Sequence, residues 1–245
     1  MRTATRLRFR KTMNEQKPDF SNSAYLFPHI NREGVKFGTI ALVLAIVYSA
    51  AAGVFCPWAS VLSLPLLLLA YGVFLFFRDP ERYPPEDEKA ILSPADGRIC
   101  LISEEELPDG LADGKKHWRV SVFMSVFNVH VNRLPTAGTV LRKEYIAAGK
   151  FFNASLDKAS KENERCNYLI KAENGQEYGV TQIAGLVARR IVPQVEEGAH
   201  LKAAERFGLI RFGSRLDVYL PEGVVPCVRI GQVMVAGETV LGHLS

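Results

Sequence analysis

Hydrophobic and polar positions divide the 245-residue chain into one long apolar stretch and a succession of short alternating segments. From Phe37 to Phe55, and again from Ala59 to Phe77, no residue carries a charge; Cys56-Pro57-Trp58 separates the two runs. Each run is close to the ~20 apolar residues a helix needs to cross a bilayer core. The whole uncharged span is too long for a single crossing. Pro57 in its middle favours a turn, because proline removes a backbone donor and breaks a helix. The pattern predicts a helical hairpin over 37–77 that either crosses the bilayer twice or dips into one leaflet. A secretory signal would instead have an apolar core of ~7–15 residues followed by a small-residue cleavage site.

After residue 90 the period changes to two, the mark of half-buried strands. Ile99 to Ser103, Trp118 to Phe127, Thr136 to Tyr145, Asn167 to Lys171 and Glu177 to Ala184 read as strands, the last two joined at Asn174-Gly175. Val120, Val122 and Met124 share one face of the second of these. Leu186 to Val192, Gly208 to Phe212, Arg215 to Leu220, Val225 to Ile230 and Gln232 to Val240 continue the series. Lys150 to Glu164 is polar and amphipathic, a short helix or an extended lid, and Ala199 to Phe207 reads as a helical turn. Many short strands with Gly/Pro turns predict a mainly β domain, a sandwich or partly closed barrel. The expected organisation is a basic N-terminal arm (1–36), the membrane hairpin (37–77), a solvated linker (78–90) and a soluble domain (91–245).

Charge adds an orientation. Residues 1–36 contain eight Lys/Arg against three acidic residues, while the rest of the chain is nearly balanced. With Arg78 and Arg82 on the far flank, the excess of basic residues places both flanks, and the domain that follows, on the cytoplasmic face of the inner membrane. The balanced remainder offers no basic face suited to nucleic acid. The four cysteines are scattered, with no CxxC and no metal-type spacing, which fits reduced thiols and no metal centre.

Three residues carry candidate chemistry. Gly213-Ser214 interrupts an alternating run, where glycine marks a kink, a bulge or a close backbone approach. Serine directly after it could attack the Gly213 carbonyl, making this a self-cleavage site. Its plain reading is a β-bulge followed by an ordinary serine. Asp96 lies in an Asp-Gly turn and His130 near a strand end; an Asp–His pair can hold an imidazole in the tautomer that takes a proton from serine. Spacing alone leaves open a packed histidine and a plain turn.

The combination resembles the phosphatidylserine decarboxylase family, the pyruvoyl-dependent membrane enzymes, in their compact bacterial and archaeal form. Its carriers are Phe76-Phe77-Arg78-Asp79-Pro80, Ser93-Pro94-Ala95-Asp96-Gly97, Asn128-Val129-His130-Val131-Asn132-Arg133 and Arg211-Phe212-Gly213-Ser214-Arg215, in that order behind an apolar hairpin. The resemblance implies a mainly β catalytic domain with lipoyl-like elements, made as a proenzyme. Ser214 would attack Gly213, giving a large chain 1–213 and a small chain 214–245 headed by a pyruvoyl group, the covalent cofactor. That group would form a Schiff base with phosphatidylserine and release phosphatidylethanolamine after loss of carbon dioxide. Asp96 and His130 would activate Ser214, and His130 would return a proton in the decarboxylation. Arg133 and Arg215 are candidates for holding the lipid's phosphate or carboxylate, with surface or structural ion pairing the alternative for either. The implied partners are phosphatidylserine, the bilayer and the two chains of one proenzyme, with a homo-oligomer left open. Two rival readings are a membrane-tethered Asp-His-Ser lipid hydrolase and a non-enzymatic membrane adaptor.

Overall fold

A computed structural model of the protein describes residues 29–147, 163–185, 190–211 and 213–245. Residues 1–28 of the expected arm, most of the 150–164 helix or lid, the start of the 186–192 strand and Phe212 lie outside the described residues.

A short strand, β1 (His29–Ile30), leads into helix α1 (Arg32–Phe55). Asn31 caps this helix, its Oδ1 accepting from the Glu33 amide at 3.1 Å, and Glu33 adds a negative charge at the positive end of the helix dipole. Helical order therefore begins ahead of the uncharged run. A 3-10 turn (Pro57–Leu62) reverses the chain, with Pro57 in its first turn, where the missing donor has no partner to lose. Helix α2 (Ser63–Phe76) returns alongside α1.

The packing inside this hairpin reverses that of a soluble helix pair. The buried residues of α1 are all small: Gly34, Gly38, Ala45 and Ala52. A Cβ on Gly34 would stand 2.2 Å from Phe77 Cβ, and one on Gly38 would stand 2.4 Å from the Phe74 ring. Glycines four apart let two helices approach closely in an apolar solvent. The large side chains face outward, with Ile40, Leu44, Val47, Leu64 and Leu69 all more than half exposed. Water does not sustain so large an apolar surface. Both helical segments are long and apolar enough to cross a membrane.

The hairpin's entry and exit are tied together by β1 pairing antiparallel with β2 (Arg78–Asp79). Past β2 the chain stays in contact with the β domain: Asp79 is buried, accepting from Arg133 Nη2 at 3.1 Å and Arg206 Nε at 2.7 Å. The Pro80 carbonyl accepts from Arg133 at 2.9 Å. Only 83–89, of the segment expected to be a solvated linker, is continuously exposed.

The rest is mainly β, as expected. Its strands are β3 (Ala90–Leu92), β4 (Gly97–Glu106), β5 (Lys116–Met124), β6 (Val131–Arg133), β7 (Gly138–Ile146), β8 (Arg165–Ala172) and β9 (Glu177–Ala184). They continue with β10 (Arg190–Pro193), β11 (His200–Leu201), β12 (Arg206–Arg211), β13 (Ser214–Tyr219), β14 (Val233–Met234) and β15 (Val240–His243). Eight form one sheet, in the order β11-β7-β8-β9-β13-β5-β4-β14; β10-β12-β6 form a second, and β15 pairs with β3. Among the described residues no barrel closes. β13 lies between β9 and β5 and is buried along its whole length. Leu216 and Val218, with Val120, Val122 and Met124 of β5, belong to the main core.

Three expected elements differ. Ala199 to Phe207 is not a helical turn but β11, a reverse turn and the start of β12. Glu205 N bonds Lys202 O at 3.2 Å in that turn, and Ala204 takes a φ of 61°. Val225 to Ile230 forms no strand; Pro226 offers no donor to a ladder, and Val225 and Ile230 face solvent. Gln232 to Val240 keeps a strand only at β14 and the first residue of β15, because a turn closed by the Val235 amide on Thr239 Oγ1 (2.9 Å) intervenes.

The glycine seam yields a test. Gly34→Val is expected to cost about 1–3 kcal/mol by overpacking against Phe77. It should raise hydrogen exchange in 32–38 and 72–78. Gly53→Ala, where a Cβ meets nothing within 4 Å, should leave the exchange pattern unchanged.

Candidate functional site

The Gly213-Ser214 pair sits where the chain changes sheets. β12 belongs to the three-stranded sheet and β13 to the eight-stranded one, and only residues 212 and 213 lie between them. Gly213 makes the corner with a φ of +62°, a region side chains rarely adopt. A Cβ there would meet nothing within 4 Å, so the requirement for glycine is conformational rather than steric. Of the features expected at this glycine, the structure has the kink.

Ser214 is the first residue of β13, fully buried, opposite Met124 of β5 and Ala184 of β9. Its hydroxyl donates to Met124 Sδ at 3.9 Å. The same sulfur accepts from Asn132 Nδ2 at 3.7 Å. Asn132 Oδ1 in turn accepts from Gln182 Nε2 at 2.7 Å, and Gln182 Oε1 accepts from the Tyr168 hydroxyl at 3.1 Å. A thioether is a weak acceptor, so the Ser214 hydroxyl can leave it at little cost. In the sequence Met124 reads as a strand-face residue and Asn132 as part of a segment that carries the resemblance, neither as a site group. Gln182 is missed there, although it shares the inward parity of Val180 and Ala184, where a polar residue is conspicuous.

His130 lies beside the strand that leads to the corner, its carbonyl accepting from the Ile210 amide at 3.3 Å. Its ring is fully buried beneath Phe76, with ring centroids 4.2 Å apart. Nδ1 sits 2.9 Å from the Asn128 carbonyl. A carbonyl only accepts, so Nδ1 carries the proton and Nε2 the free lone pair. Nε2 is buried, with no hydrogen-bond partner among the described residues. Burial pushes the imidazole pKa down to about 4; the Asn128 carbonyl opposes this and Arg78 adds to it. At neutral pH His130 is an uncharged base with its accepting nitrogen free.

Asp96 stands near the start of β4. Met124 is opposite Ser214 and, continuing the Arg98–Phe123 register by one residue, opposite Gly97. Two strand spacings of ~4.8 Å therefore separate this end of β4 from Ser214. Arg82 Nη2 reaches both Asp96 oxygens, at 2.9 and 2.7 Å, and the Ala236 amide donates to Oδ1 at 2.8 Å.

Asp96, His130 and Ser214 thus gather at one end of the fold, but among the described residues no hydrogen bond joins any two of them. The expected Asp96–His130 pair is replaced by two separate arrangements: a main-chain carbonyl orients the histidine, and an arginine neutralises the aspartate. The physical reason is charge: a neutral imidazole offers a carboxylate little, and a guanidinium cation offers it much.

The two arginines expected as headgroup ligands are committed inside the protein. Arg133 donates to Asp79, Pro80 and the Ala204 carbonyl, the last at 3.0 Å. Arg215 is fully buried and bonds Asp217 through Nε at 2.8 Å and Nη2 at 2.9 Å. As Ser214's neighbour in a strand, Arg215 projects to the opposite face of the sheet.

Comparison with known proteins converges on one family. Residues 70–242 match the family model described as phosphatidylserine decarboxylase. A phosphatidylserine decarboxylase proenzyme of Erythrobacter litoralis is 50% identical over 234 residues, covering 91% of each chain. One from Zymomonas mobilis is 48% identical over 225 residues, covering 89% of this chain and 88% of its own. One from Cereibacter sphaeroides is 50% identical over 224 residues, covering 91% and 93%.

Because the folded-state pKa of His130 is depressed, the unfolded chain binds the extra proton first as pH falls. The stability held above ~6.5 is therefore lost as pH falls toward the folded value of about 4. At ~1.4 kcal/mol per pKa unit this amounts to a few kcal/mol. His130→Asn should flatten the fall of the unfolding midpoint in that window relative to wild type, as read by chemical denaturation in detergent.

Proposed function

The chain belongs to the phosphatidylserine decarboxylase family, and from that premise we propose that it converts phosphatidylserine to phosphatidylethanolamine at the membrane after cutting itself between Gly213 and Ser214. The observation that carries this reading is the corner at Gly213. A carbonyl in a left-handed turn, outside either ladder, is open to attack by the hydroxyl that follows it. Among the described residues, the hydroxyl itself is held by a sulfur alone.

In the cleavage step the Ser214 hydroxyl loses its proton to His130 Nε2, and Oγ attacks the Gly213 carbonyl carbon. The C–N bond breaks as the C–O bond forms, and the Ser214 nitrogen takes the proton. Loss of the α-proton then expels the Gly213 carboxylate, and hydrolysis of the remaining enamine releases ammonia. This leaves chains 1–213 and 214–245 of the same precursor. Asp96, held in place by Arg82 and the Ala236 amide, stands near the site.

The pyruvoyl group so made supplies what no side chain has, an electrophilic carbonyl that captures an amine and accepts the electron pair left by departing carbon dioxide. The residues around it fit: the start of β13 is buried, which excludes water, and His130 keeps a neutral nitrogen to deliver or remove a proton there. The apolar hairpin serves as the membrane anchor, with the β domain on the cytoplasmic face. Its outward Leu, Ile and Val side chains and the basic residues flanking it support this placement. A lipid substrate remains at the interface, so an anchored domain searches two dimensions instead of three.

A denaturing mass spectrum of the purified chain, with and without a carbonyl-trapping hydride and amine, tests the proposal. Two fragments split at Gly213/Ser214 are expected, the smaller one blocked at its N-terminus and gaining mass on trapping. Ser214→Ala should remain one 245-residue chain and form no phosphatidylethanolamine. An uncut wild-type chain that reacts with a serine-directed fluorophosphonate would point to a hydrolase instead.

A further inference from the structure

The residues that leave the apolar hairpin, Phe76 to Arg82, reach both candidate groups beside the Gly213 corner. At one end the Phe76 ring lies over the His130 imidazole, the planes 35° apart. At the other, Arg82 holds both oxygens of Asp96. The segment between them is fastened to the domain: Arg78 Nη2 donates to the Phe127 carbonyl at 2.7 Å, and Asp79 is clasped by Arg133 and Arg206. Two buried nitrogens here, His130 Nε2 and Arg82 Nε, have no hydrogen-bond partner among the described residues. A polar atom withdrawn from water without a partner costs stability. Two such atoms on groups touched by one segment point to a use other than stability.

We infer that Phe76 and Arg82 are positioning residues for the reaction at Ser214, Phe76 fixing the plane and hydration of His130 and Arg82 fixing the orientation of the Asp96 carboxylate. The inference rests on the roles proposed above for His130 and Asp96. It makes the exit of the anchor part of the reacting site as well as a tether.

The two contacts act by different physics. One Arg82 nitrogen, Nη2, spans both Asp96 oxygens, and the planar guanidinium that carries it holds a direction where an ammonium is a freely rotating point charge. An aromatic ring stacked on an imidazole removes one of its faces from water. The charged group acting on His130 is Arg78, from this same segment. The cluster that holds Phe76 over the ring, with Val129, Val131 of β6 and Leu209 of β12, is apolar. Removal of the Phe76 ring therefore hydrates the imidazole and relieves the burial that holds its pKa down.

The test is a time course of self-cleavage after cell-free synthesis of the full chain into lipid nanodiscs, read by denaturing mass spectrometry between about pH 4 and pH 8. Arg82→Gln is expected to slow cleavage roughly tenfold or more without moving the pH profile. Arg82→Lys should recover part of the rate. Phe76→Ala should move the acid limb of the profile upward by about one unit or more, toward the ordinary imidazole range near 6.5. Phe76→Leu, which keeps the apolar cluster filled, should move it in the same direction by less, and it carries the test if the alanine variant folds poorly. Wild-type cleavage rates in Arg82→Gln, or an unmoved acid limb in the folded Phe76 variants, would overturn the inference. A parallel His130→Gln chain separates the two levels. If it cuts at the wild-type rate, the assignment of His130 as base fails; if it is inert while the Arg82 and Phe76 variants match wild type, only the positioning role fails.

Discussion

The arrangement depends on one buried carboxylate. Asp79, at the exit of the hairpin, lies between Arg133 at the end of β6 and Arg206 at the start of β12. Removing a carboxylate from water costs several kcal/mol unless cations replace its hydration, and breaking such a pair typically costs about 3–5 kcal/mol. Two guanidinium groups from neighbouring strands meet that demand and fix the carboxylate in one place. Those strands carry the rest of the site: β6 follows directly on His130, and β12 runs into the Gly213 corner. The charge that seats the hairpin thus also sets where Phe76 falls on His130. Depression of the Arg133 pKa by burial and by Arg206, with Asp79 opposing, shows how crowded with positive charge this junction would be without the aspartate.

Around that junction the fold combines rigidity with one deliberate break. β13 is hydrogen-bonded along both edges and buried along its length, so Ser214 has little freedom to move. The strain falls on the residue before it, which must leave one sheet and enter another. On the proposed reading, a serine fixed next to a carbonyl in a left-handed turn is brought to its target by topology rather than by catalytic side chains. On the proposed reading the side chains then need only move protons. A neutral histidine oriented by a main-chain carbonyl suits that work better than one paired to an aspartate, whose charge would favour the protonated form.

The sequence made some of this legible, and the division has a physical basis. The hairpin was readable because apolar length is a property of consecutive residues. The Gly-Ser corner was readable because a glycine weakens an alternating run unless the backbone has to bend there. Asp79–Arg133, Asp79–Arg206 and Arg82–Asp96 were hidden, since nothing local marks which charges will meet across the fold. The choice between headgroup binding and structural ion pairing for Arg133 and Arg215 was hidden for the same reason, because a buried arginine with a partner looks in sequence like an exposed one awaiting a ligand. Arg215 could have been set aside from the start: adjacent residues of a strand face opposite ways, so it could not share a pocket with Ser214. Val225 to Ile230 failed for the opposite reason. Its alternating apolar residues imitate a strand, while Pro226 and the exposure of Val225 and Ile230 keep it outside any ladder.

The hairpin and the corner also show opposite uses of glycine. Gly34 and Gly38 are helical and serve by having no side chain, letting Phe77 and Phe74 come close. Gly213 has open space around its missing side chain and serves by its backbone conformation alone. The first use draws α1 and α2 together and turns their large side chains outward. It also fixes Phe76 and Phe77 at the end of α2, where Phe76 meets His130. A close-packed helix pair transmits position along its axis far better than a loosely packed one, since neither helix can rotate without the glycine seam opening. On the proposed reading, the lipid-facing part of the chain and the cleavable bond are therefore joined by a rigid path, from the seam through Phe76 to His130 and β12. This path explains why an enzyme of membrane lipids would build its anchor into the site instead of attaching it through a flexible linker.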